Sequence, residues 1–150
     1  MAYKSRYRVK NPDKYRGDST NVIARSNWEL QALKWCDTNP NVKSFSSEEV
    51  VVPYISDTDK KQHRYYVDLL IEFTNGETLL VEIKPAAQTR VPERPKTGRK
   101  TRRFINESLT YVKNMSKWKA ADAYAKARGW KFVVWTEVEL KALGLKLIGR

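Results

Sequence analysis

Two short apolar runs, VDLLIEF at 67–73 and LLVEIK at 79–84, flank Asn75-Gly76, and their alternation fixes how this part of the chain can pair. Side chains on a strand point to alternate faces. Val67, Leu69, Ile71 and Phe73 therefore share one apolar face, as do Leu79, Val81 and Ile83, while Asp68, Glu72, Glu82 and Lys84 look the other way. If both odd-numbered faces cover one core, the numbers of directly opposed residues must sum to an even number, because a one-residue slip turns every side chain over. A two-residue turn at Asn75-Gly76 fails that condition. A three-residue loop over 74–76, with Gly76 left-handed in a bulge, meets it with a sum of 150. This register predicts Asp68 directly across from Glu82, with Cβ atoms about 5 Å apart.

Like charges opposed across a sheet repel, and neighbouring carboxylates raise one another's pKa unless a cation lies between them. A hard divalent ion answers that need, and Mg²⁺ is commonly held by one or two carboxylates plus substrate phosphate. Lys84 shares the face two residues on. A third carboxylate, Glu29, falls inside the apolar arc of the helix expected over 26–37, whose core face carries Trp28, Leu30, Ala32, Leu33, Trp35 and Cys36. Ser26-Asn27-Trp28-Glu29 also has capping-box spacing, and both roles hold together if the helix start abuts the metal.

Around this hairpin the chain reads as a mixed α/β protein. The helix over 26–37 stops at Asn39-Pro40, and a strand over 48–55 is followed by a polar turn at 56–61. Strands over 65–73 and 78–84 come next. Helical segments over 104–113 and 116–128 form two helices or one bent helix, ending at Gly129. A strand over 131–135 and a short helix introduced by Thr136-Glu137-Val138-Glu139 complete the chain. One hundred and fifty residues suffice for one core, so 1–150 is expected to be a single domain. Apolar stretches are short and interrupted by charge, which argues against membrane insertion and secretion, and the single Cys36 cannot form an internal disulfide. A reducing compartment is expected.

The net charge of +12 points to a polyanionic partner, and its distribution is uneven. Residues 1–18 carry six basic side chains against two acidic, and 85–103 carry seven against one. Two basic segments on a nearly neutral body suit a clamp on a phosphate backbone. The expected contacts are Lys4, Arg6, Arg8 and Lys10 in an N-terminal arm, and Arg90, Arg94, Lys96, Arg99, Lys100, Arg102 and Arg103 in an extended loop. Tyr3, Tyr7 and Tyr15 interleave with the basic residues of the arm as candidate stacking side chains. His63, the one histidine, reads as a surface strand residue.

Asp68, then Glu82-Ile83-Lys84 on a paired strand, with Glu29 on a preceding helix, resembles the PD-(D/E)XK nuclease superfamily. Its αβββαβ order covers about 20–136. Val67 stands where the superfamily's name has proline, a position that varies. The stretch 118–137 is similar to the endonuclease subunit of heteromeric transposases, and the whole chain resembles the head-completion proteins of T-even-type bacteriophages.

The resemblance implies a restriction-endonuclease-like fold, a mixed sheet flanked by helices. It implies Asp68, Glu82 and Glu29 as ligands of Mg²⁺ or Mn²⁺, with Lys84 steadying the attacking water or the developing phosphorane charge. It further implies a DNase with little sequence preference that acts on packaged phage DNA, with head or portal proteins as partners in the host cytoplasm and virion head. Gln88, just past the motif strand, is a candidate for substrate positioning. Two rivals compete with that function: a non-catalytic DNA-binding head plug on a degenerate nuclease fold, and a basic RNA- or ribosome-associated protein. The presence of all the motif residues argues against the plug. The tryptophans, which fall where packing is expected, argue against RNA stacking.

Overall fold

The computed structural model describes residues 4–147. Its strands are β1 (Ser5–Tyr7), β2 (Val22–Ala24), β3 (Val42–Ser47), β4 (Val51–Ile55), β5 (Gln62–Tyr66), β6 (Leu69–Phe73), β7 (Thr78–Ile83) and β8 (Lys131–Trp135). Its α-helices are α1 (Asn27–Thr38), α2 (Arg102–Ala127) and α3 (Glu137–Ala142).

The hairpin at the centre has the register that the face parity demands. Leu69 pairs with Val81, Leu70 with Leu80, and Ile71 with Leu79. The Phe73 amide donates to the Glu77 carbonyl at 2.8 Å, which leaves Thr74, Asn75 and Gly76 as a three-residue loop. Gly76 sits at φ +92°, a conformation that costs a residue without Cβ little. β3 and β8 extend the hairpin into a four-stranded sheet of order β3-β6-β7-β8, antiparallel except for the β7–β8 pair that α2 connects. This is the mixed sheet with flanking helices of the restriction-endonuclease-like fold.

The two faces of the sheet bury different side chains. Leu69, Ile71, Val81 and Ile83 pack with Trp28, Ala32, Leu33 and Cys36 of α1 in one core cluster. Leu80 faces the other way, clustering with Ala121 and Ala125 of α2 and with Val52, Tyr54 and Tyr65 of the β4–β5 hairpin. The even-numbered face that carries Glu82 is thus covered by a helix.

The strands differ from the sequence expectation in two places. The run 65–73 breaks at Val67-Asp68, where the Val67 amide bonds to the Val50 carbonyl and the Glu48 amide to the Asp68 carbonyl. β5 therefore leaves the main sheet to pair with β4, and the expected strand over 48–55 belongs to that side hairpin. The first strand of the αβββ order is instead β3, whose VKSFSS composition hides it, since its buried positions include Ser44 and Ser46. The segments 104–113 and 116–128 are one continuous helix, capped by the Thr101 hydroxyl on the Phe104 amide at 3.0 Å.

Residues 5–15 are not a free arm. β1 pairs with β2, and Tyr7, Val9 and Tyr15 are buried, so Tyr7 and Tyr15 are core residues and not stacking side chains. Tyr3 lies outside the described residues. The anchor is Asp37 on the last turn of α1, only 1% exposed. Its carboxylate accepts from the Tyr7 hydroxyl at 2.5 Å, the Lys10 amide at 2.7 Å and the Asn11 amide at 3.0 Å. Burial opposes the charge, and the donors outweigh it, holding the carboxyl below its usual range. Asp37→Ala should lower stability by about 3 kcal/mol, because it orphans several donors around a buried charge. Thermal melts should show a drop of roughly 6–12 °C for a chain of this size. A change of a degree or less would mean the N-terminal segment contributes little to the body.

Candidate active site

α1, β6 and β7 bring three acidic side chains to one end of the main sheet. Glu29 lies in the first turn of α1, where the Ser26 hydroxyl accepts from its amide at 3.1 Å. The Glu29 carboxylate does not reach back to Ser26, as a capping box would, but accepts from the Arg25 amide one residue earlier, at 2.8 Å. That leaves it close enough to Asp68 for its charge to act on that carboxyl. Asp68 stands one residue before β6, so it is not on the ladder opposite Glu82. Its Oδ2 instead accepts from the Ile83 amide at 2.8 Å, which still aims the carboxylate at the end of β7.

Glu82 is 7% exposed and points to the α2 side. Its Oε2 accepts from the Tyr65 hydroxyl at 2.6 Å, and its Oε1 lies 3.5 Å from Lys84 Nζ. Asp68 is held well above the usual carboxyl range, first by burial and then by the charges of Glu82 and Glu29. Burial raises Glu29 too, against the lowering effect of the Arg25 amide and the Asp68 side chain. Burial and neighbouring negative charge thus disfavour full charge on Asp68 and Glu29 together.

Two contributors come from elements whose part in the site has no sequence signal. Tyr65 lies on the side hairpin. Burial and Glu82 raise its pKa, so it stays a hydroxyl donor that fixes the Glu82 carboxylate. Lys117 on α2 places its ammonium 5.4 Å from the centre of the Tyr65 ring. Burial pulls its pKa down, as do Lys113 and Lys84, against the attraction of Glu82 and Asp68. Two lysines thus face the carboxylates, one from the strand and one from the helix above it.

The donor set suits a hard cation in one way only. Among the described residues no three His, Cys, Asp or Glu side chains converge as a ready metal cage. Two carboxylates whose mutual repulsion lacks full compensation match the sparser arrangement in which Mg²⁺ takes most of its remaining ligands from water and phosphate.

The other expected site residues divide by position. Lys4, Arg6, Arg8 and Lys10 are exposed, and run along the side of α1 from its start, where Ser5 pairs with Ala24, to its end, where Lys10 meets Asp37. Lys10, which meets Asp37, is thus separated from Glu29 by eight helical residues, about 12 Å along the axis. Arg90, Arg94, Lys96, Arg99, Lys100, Arg102 and Arg103 are exposed on the loop after Lys84 and the start of α2. A short 3-10 turn (Ala86–Thr89) begins that loop, held where Glu137 Oε1 accepts from the Ala86 amide at 2.7 Å. His63 stands apart, bonded to Asp59 at 2.8 Å and stacked on Tyr54.

A buried acidic group at the end of a mixed sheet, with a lysine two residues past its central glutamate, is the architecture of a nuclease domain. Residues 39–137 match the family described as TnsA-like endonuclease N terminal, and the chain belongs to that family. It is also 40% identical over 148 residues to the head completion nuclease of Enterobacteria phage T4, an alignment covering 97% of this chain and 99% of the relative.

Proposed function

We propose that the chain is a divalent-metal-dependent DNase with little sequence preference, acting on packaged phage DNA during head completion. The observation that carries this reading is the meeting of Glu29, Asp68, Glu82 and Lys84 at one sheet end, in a chain of an endonuclease family. The step of head completion, and phage head or portal proteins as partners in the host cytoplasm and virion, are carried over from the T4 relative's name. No helix among the described residues is long and apolar enough to cross a membrane.

Asp68 and Glu82 would hold Mg²⁺ or Mn²⁺, with Glu29 as an accessory carboxylate. The ion supplies Lewis acidity and an activated water when bound. The chain's own residues do the rest. Tyr65 fixes one oxygen of Glu82, leaving the other facing Lys84. Lys84, partly buried and preorganised, places positive charge where the phosphorane develops it. Lys117 adds a second positive charge from the helix side. The chain works as one nuclease domain over 1–150, and its basic residues in 1–18 and 85–103 contact DNA phosphates, which supplies affinity without base readout.

The test is incubation of linear and closed circular DNA with the protein in Mg²⁺, Mn²⁺ or EDTA. Cleavage in either metal and none in EDTA is expected. Unchanged DNA under every condition would overturn the reading in favour of a non-catalytic head plug.

A further inference from the structure

The loop that follows Lys84 and the N-terminal half of α2 enclose a groove of about 550 Å³, within the ~300–1,000 Å³ usual for small-ligand sites. A second lobe of about 420 Å³ continues it under the loop. Both lobes share Arg90 and Arg103. At the inner end stands Asn114, a polar side chain only 5% exposed. Asn114 lies three residues before Lys117 on α2, and Gln88 four residues after Lys84, so the groove is built from the chain segments that adjoin both lysines of the site. Tyr111 and Gln88 line the same lobe.

This combination has the parts of a site for an unpaired nucleotide: an aromatic ring, two side-chain amides with both donors and acceptors, and an arginine at the mouth. Of the two lining arginines, Arg103 Nε already donates to Glu107 at 2.8 Å, whereas Arg90 makes no ion pair among the described residues. A groove of this volume is small beside a duplex, whose major groove alone is about 12 Å wide. We infer that the groove seats one or two unpaired nucleotides beside the scissile phosphate, so that the nuclease works on unpaired strands and frayed ends in preference to intact duplex. This rests on reading the carboxylate site as a nuclease centre, and it names the substrate form that site takes.

The test is fluorescence anisotropy in Ca²⁺ with a short labelled oligothymidylate and a blunt hairpin duplex, on wild type, Tyr111→Ala and Asn114→Leu, each checked by melting. Either substitution should weaken oligothymidylate binding about tenfold or more while changing duplex binding less than about twofold. Tyr111 is only partly buried, so its variant keeps the test open if Asn114→Leu does not fold. Equal losses on both probes, no loss on either, or wild type that fails to bind the oligonucleotide would overturn the inference. Binding needs no turnover, so a protein that cleaves but lacks this selectivity sinks the groove alone. One that shows the selectivity without cleaving sinks only the nuclease reading.

Discussion

Glu82→Ala protein will lose both Mg²⁺ binding and DNA cleavage, whereas Lys84→Ala protein will keep the metal and cleave about 10²–10³-fold more slowly. The difference follows from neighbouring residues on one strand having opposite charge. Glu82 presents a fixed carboxylate, locked by Tyr65 on one oxygen, and on the proposed reading its removal takes away one of two principal ligands. Lys84 sits 3.5 Å from the other oxygen, where its charge competes with a cation for Glu82, so metal affinity is retained or rises when it is removed. The slowing stays partial because Lys117 still directs a positive charge at the same carboxylates. DNA affinity in Ca²⁺ should hardly change, since one lysine among twenty-nine basic residues adds little to a distributed phosphate contact. Calorimetric titration with Mn²⁺ and nicking of closed circular DNA separate the two roles. Normal cleavage by both variants would remove them from the reaction, and loss of metal binding in Lys84→Ala would contradict the division of labour.

The parts of this site that sequence reveals are those where burial constrains a period. The β6–β7 register was legible because each strand has a fully apolar odd face, and a slip of one residue would expose it. Glu29 was legible because a carboxylate inside an apolar arc has to meet something. Tyr65 and Lys117 were not, since their only link to Glu82 is the docking of the side hairpin and α2 over the sheet, a contact with no period in sequence. β3 escaped for another reason: its buried serines give no hydrophobic signal. The N-terminal segment was legible in part. Arg6, Arg8 and Lys10 alternate with buried Tyr7 and Val9 at strand period, and the basic charge masks that alternation.

Asp68→Asn should give a protein that melts higher than wild type at pH 8 in EDTA and cleaves nothing. Asp68 has a raised pKa in the folded state, with burial as the first cause and Glu82 and Glu29 as the next. For a carboxyl whose folded pKa is raised, the stabilising contribution is full below the unfolded value, near 3.9, and is lost as pH rises through the folded value. Wild-type protein without metal should therefore lose stability as pH rises from the ordinary carboxyl range toward the raised folded value. Asparagine keeps the shape and the acceptor for the Ile83 amide but never ionises, so its advantage should grow over the same range and vanish in acid. Each kcal/mol of relieved repulsion corresponds to about 2–4 °C in a chain of this size. Added Mg²⁺ should reverse the order, because an ion that binds only the folded wild type stabilises it by mass action, while the variant lacks an anionic ligand. Glu29, also raised, leaves the variant a weaker pH dependence of the same sign. Melting curves at pH 5 and pH 8, with Mg²⁺ and with EDTA, test the whole scheme. If Asp68→Asn melts below wild type at pH 8 in EDTA, or if Mg²⁺ raises both proteins equally, the acidic group is not a site whose repulsion a cation relieves.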